Sequence, residues 1–143
     1  MGDGRSGDCD RDYKVMKFEE LESWQRARSL VNRIYKLTRT GNLLKDFGVS
    51  GQIQRSAVSI MSNVAEGFER LHLAEKLQAY NVARGSAGEV RSLLYVIEDN
   101  FPEAASEAVQ LRGDVVAVGK LVTGLIQSTE SRRVNAKKIP SPI

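Results

Sequence analysis

From Trp24 to Ile126, apolar residues return every three or four positions in four separate stretches. That period commits the chain to amphipathic helices rather than strands. The first stretch runs from near Phe18 or Glu20, with Trp24, Ala27, Val31, Ile34 and Thr38 on one stripe. It closes at Thr40-Gly41-Asn42, where Gly41 can take a left-handed cap conformation. Leu43 to Gly51 reads as a connector, with Ser50 the expected N-cap of the second helix. The second stripe is Ile53, Ala57, Ile60, Met61, Val64, Ala65 and Phe68, ending near Gly67 to Leu71. A third helix is expected from Leu73 to Asp99, and Asn100-Phe101-Pro102 breaks it, because proline suits only the first turn of a following helix. The fourth spans Glu103 to Ser131 and is rich in valine over residues 115–122, so tertiary packing rather than propensity must hold it.

Short connectors between four such helices predict an all-α, antiparallel up-and-down four-helix bundle. The domain boundaries that follow are a flexible arm over residues 1–16, the bundle over 17–131, and a basic flexible tail over 132–143. Gly85 and Gly88 fall inside the third helix. Each costs about 1 kcal/mol relative to alanine, so close packing against a neighbour or a kink is expected there. Trp24 fits either the core or a subunit contact.

The residues that would carry chemistry are scarce. His72 is the one histidine and Cys9 the one cysteine, so a His-pair metal motif, a thiolate metal site and a Ser-His triad are all out of reach. Neither a metal nor a cofactor is expected, and the chain reads as non-enzymatic. No apolar run approaches the roughly 20 residues of a membrane span, so no membrane partner is expected and a cytoplasmic protein is the default reading.

Charge is unevenly spread. Residues 21–130 carry thirteen bases and twelve acids, whereas the last thirteen residues carry Arg132, Arg133, Lys137 and Lys138 with no acid. The first helix holds five bases against one acid between Glu22 and Arg39. Arg26, Arg33 and Lys36 on that helix, with the four tail bases, are therefore the candidate nucleic-acid contacts, since clustered cations neutralise phosphates. No aromatic residue is interleaved with them to suggest base stacking.

A polar stripe runs beside the apolar one on the second helix, through Gln52, Ser56, Ser59, Asn63 and Glu66; the third helix carries Tyr80, Arg84, Ser86, Glu89 and Arg91. A turn centred near residue 71 sets Arg55 opposite Glu89, Ser59 opposite Arg84, Asn63 near Tyr80 and Glu66 near Lys76. Three readings fit: an interhelical network that fixes register, a face turned to another subunit, or an acid–base site built from Arg84, Glu66 and Glu89.

The segments FEELESWQRARSLVNRIYKLT, QIQRSAVSIMSNVAEGFER and YNVARGSAGEVRSLL, in this order and spacing, resemble the four-helix-bundle proteins called 23S ribosomal RNA intervening-sequence proteins. The likeness covers residues 17–130. It implies a bacterial protein assembling as a ring-like homopentamer. A related branch resembles the accessory variability proteins of diversity-generating retroelements, basic pentamers that bind RNA or DNA and a reverse transcriptase. Two functions follow as expectations: a non-enzymatic oligomer binding nucleic acid, or a protein–protein scaffold such as an accessory subunit to a reverse transcriptase.

Overall fold

The computed structural model describes residues 17–138. The expected arm over 1–16 with Cys9, residues 139–143 and the Lys138 side chain lie outside the described residues. Four α-helices account for most of the rest: α1 (Glu22–Leu37), α2 (Phe47–Glu69), α3 (Leu73–Asn100) and α4 (Ala105–Lys138). Three short 3-10 segments, Phe18–Glu20, Gly41–Lys45 and Pro102–Ala104, fill the approaches and connections. Among the described residues there is no strand, and no helix is long and apolar enough to cross a membrane.

The core is assembled from the stripes that the period marks out. Leu30 and Ile34 of α1, Ile53 and Ile60 of α2, Val90, Leu94 and Ile97 of α3, and Leu111, Val115 and Val118 of α4 are all essentially closed to solvent. Trp24 packs partly buried against this core, edge-on to Phe18 at 5.2 Å between ring centres. Across α2 and α3, contacts descend one helix as they ascend the other: Gly67 meets Tyr80, Ser59 meets Ser86, and Gln52 meets Glu89.

Several boundaries differ from those expected. The N-cap of α2 is Asp46, whose Oδ1 accepts the Val49 N–H at 3.0 Å. Ser50 lies inside the helix, and its hydroxyl donates instead to the Leu43 carbonyl at 2.6 Å. An aspartate three residues ahead of a free N–H competes well with serine for this role, so the helix starts a turn early. Gly41 does adopt a left-handed conformation, with φ 53°. It stands beyond the end of α1, however, which closes at Thr38. At the far end α4 runs on through Lys138, so residues 132–138 are helix rather than tail.

The glycines of α3 behave differently from expectation. A β-carbon added to Gly85 or Gly88 would meet nothing within 4 Å, and the helix passes through both without interruption. Close approach happens at Gly67 instead, where a β-carbon would lie 2.6 Å from Cδ1 of the buried Tyr80 ring. Glycine is required there because the ring occupies the space a side chain would need.

Candidate nucleic-acid interface

The basic residues of α1 are not an open row of cations. Arg33 reaches across to α4, donating from Nη2 and Nε to Oε1 of Glu107 at 2.7 and 3.2 Å and from Nη1 to Asp114. The hydrogen bond to Glu107 and the charge of Asp114 raise its pKa, so the cation is held by two carboxylates. Arg26 pairs with Glu22 one turn back at 3.2 Å. Arg28 and Arg39 lie over the rings of Trp24 and Tyr35. Lys36 is exposed and has no ion-pair partner among the described residues. A phosphate on this face would compete with existing ion pairs, at both Arg26 and Arg33, for the same guanidinium donors.

The bases near the C-terminus sit on the last turns of α4. Arg132 donates to Thr129 Oγ1 at 3.4 Å, and its charge is felt at Lys76 and Tyr80. Arg133 shares a shallow hollow with Glu130, beside Leu77 and Asn81. Lys137 is exposed. An acid therefore accompanies this basic end too.

Between α2 and α3 the polar residues do meet, but mostly with partners other than those expected. Ser59 and Ser86 share a hydroxyl hydrogen bond of 2.8 Å, and Asn63 donates to the carbonyl and hydroxyl of Ser59. Gln52, not Arg55, reaches Glu89, donating at 3.1 Å. Arg55 folds back over Gly51 on its own helix. Glu66 accepts from Arg70 at 2.7 Å rather than from Lys76. Lys76 donates to the carbonyls of Gly67 and Phe68 at 3.1 and 2.6 Å, capping the last turn of α2. The Tyr80 ring seats on Gly67 along the same seam.

These partners also keep apart the three groups an acid–base site would have used. Glu66 is tied to Arg70, Glu89 to Gln52, and Arg84 lies on the other flank of α3. No cluster of three or more His, Cys, Asp or Glu able to hold a metal occurs among the described residues.

The flank holding Arg84 is the part of the surface that sequence reasoning did not single out. A groove of about 350 Å³ runs between α3 and α4. Arg84 and Arg91 line it from α3, Lys120 from α4, and Gly88 and Gly119 leave its floor low. All three cations are exposed, and no carboxylate lines the groove. The signal present in the sequence was the spacing of Arg84, Gly88 and Arg91, four and then three residues apart, which puts all three on one helix face.

Fold and groove together define a small all-helical protein with an exposed, positively charged surface. The family model for 23S rRNA-intervening sequence proteins matches residues 19–124, and the chain belongs to that family. Among solved structures, it is similar to a crystal structure of a protein of unknown function from the S23 ribosomal protein family of Bacteroides thetaiotaomicron VPI-5482. That likeness has 23% sequence identity and a TM-score of 0.67, covering 73% of this chain and 95% of the other. It supports the shared fold. No curated protein matches the chain.

Proposed function

We propose that this protein is a non-enzymatic, cytoplasmic nucleic-acid-binding protein, an antiparallel up-and-down bundle that works as a homo-oligomer, in keeping with the pentamer expected from its resemblance. The observation that carries the reading is the groove between α3 and α4, where Arg84, Arg91 and Lys120 converge without a lining carboxylate. Cations in such a setting keep their full charge for phosphate, and each phosphate neutralised releases counterions. The surface proposed is therefore this groove rather than the α1 row, whose Arg33 is already bound to two acids.

The test is filter binding of RNA and of DNA at low and high salt, with the intact protein and an Arg84→Gln, Arg91→Gln, Lys120→Gln triple variant. Retention should fall steeply with salt, and the triple variant should show weaker retention with a shallower salt dependence. Retention by the intact protein that ignores salt, or its absence, overturns the reading. Arg33→Gln should leave retention unchanged.

A second reading has its own support. The outward side of α4 carries Val109 and Val116, 45% and 37% exposed, and of the charged residues there only Lys120 lies between Val116 and Gln127. A weakly polar helix face of this sort suits a protein contact. Such a contact accommodates a second copy of the chain, or a scaffold role toward a partner such as a reverse transcriptase.

A further inference from the structure

The groove does not stop at Arg91. Tyr95 follows it by four residues and so stands one turn further along the same side of α3. On α4, Arg112 precedes Val116 of the groove wall by four residues and extends that side in the same direction. The two side chains meet: the Arg112 guanidinium lies 4.1 Å from the centre of the Tyr95 ring. Glu98, the carboxylate at this end, is taken up in an ion pair with Arg112.

Tyr95 remains 47% exposed while Arg112 covers part of it. The cation–π contact restrains the ring, while close to half of the residue stays open to solvent. A fixed, half-open aromatic ring at the end of a row of unopposed cations has the two parts that single strands recognise: charge for the backbone and a flat surface for a base. A duplex offers only the first, because its bases are already stacked inside it.

We propose that the groove binds single-stranded nucleic acid, with phosphates along Arg84, Arg91 and Lys120 and an unstacked base on the Tyr95 ring held by Arg112. This rests on the nucleic-acid reading above and adds the strandedness of the ligand and the residue that reads it.

The experiment is fluorescence anisotropy with labelled oligouridylate, labelled oligothymidylate and a fully paired RNA duplex, using the intact protein and the variants Tyr95→Ala and Tyr95→Phe. Helical circular dichroism confirms that each variant is folded. The intact protein should prefer the single strands. Tyr95→Ala should weaken single-strand binding about tenfold, as expected for the loss of one base–aromatic stack, while duplex binding and the salt slope stay unchanged. Tyr95→Phe, which keeps the ring, should restore affinity.

If Tyr95→Ala binds single strands as tightly as the intact protein, or the duplex binds as tightly as the single strands, the aromatic platform is wrong. The triple cation variant then still reports on the groove by itself. If no probe binds the intact protein, the nucleic-acid reading and this inference fall together.

Discussion

Gly67, in the last turn of α2, and Gly85, inside α3, are the same residue type, yet they answer to different constraints. At Gly67 the Tyr80 ring fills the volume that a β-carbon would take, and that ring is almost wholly buried, with little room to retreat. Gly67→Ala should therefore overpack the α2–α3 contact and destabilise the fold by about 1–3 kcal/mol. At Gly85 a β-carbon meets open space, and the backbone is ordinary helix. Gly85→Ala should stabilise by about 0.4–1 kcal/mol, mainly by restricting the unfolded chain. Urea titration of the two variants reads both signs in one comparison; equal effects in the same direction would refute the packing account of Gly67. Sequence reasoning could count the helix-breaking cost of a glycine, but not whether its missing side chain faced a neighbour or water.

At the scale of elements, helices were legible where the apolar period was long, and their ends were not. The breaks at Thr40-Gly41-Asn42 and Asn100-Phe101-Pro102 are visible to the eye because glycine and proline act locally. Both Asp46 and Ser50 are good caps in isolation; the structure uses the Asp46 carboxylate on the Val49 N–H and turns the Ser50 hydroxyl back to the Leu43 carbonyl. Contacts between elements were still harder to foresee. Arg33 finds Glu107 and Asp114 on α4, separated by 74 and 81 residues, so no local pattern ties them together. The groove likewise needs α3 and α4 brought side by side before Arg84, Arg91 and Lys120 become one surface.

Lys76 joins α3 to the end of α2 and gives that junction a pH dependence. Burial, helped by the nearby charge of Arg132, lowers its pKa from the usual 10.5, so the folded chain holds this proton less tightly than the unfolded chain. The unfolded state then binds more protons between the lowered value and about 10.4, and stability from this group rises with pH across that window. Tyr80 works in the other direction: burial raises its pKa above 10.0, so its contribution is full below the ordinary value and falls as pH climbs through the raised one. From neutral pH toward pH 10, the urea midpoint of the intact protein should rise relative to that of Lys76→Met, which lacks the Lys76 contribution. A pH profile unchanged by the substitution would mean that the lysine is not penalised in the fold.

For the molecule as a whole, the distribution of exposed apolar surface argues for a contact that one bundle cannot make with itself. Val82 and Val96 of α3 and Val109 of α4 are 38–47% exposed, while Gly85, Gly113 and Gly124 add no side chain to that outer surface. α1, by contrast, turns charged residues such as Arg26, Arg28 and Lys36 to water. Burying weakly polar helix faces against one another returns about 25 cal/mol for each Å² of apolar area removed from water, so valines and glycines favour close helix contacts. Placing a carboxylate on this surface should be tolerated by the single bundle and opposed by an assembly. Light scattering should give the intact protein a mass several times 15.8 kDa, insensitive to salt because the contact is apolar. The double variant Val96→Glu, Val109→Glu should return the mass to that of one chain with its helical content unchanged. An intact protein that already runs at 15.8 kDa would show that these valines are ordinary exposed residues, and that the cationic groove must act from a single bundle.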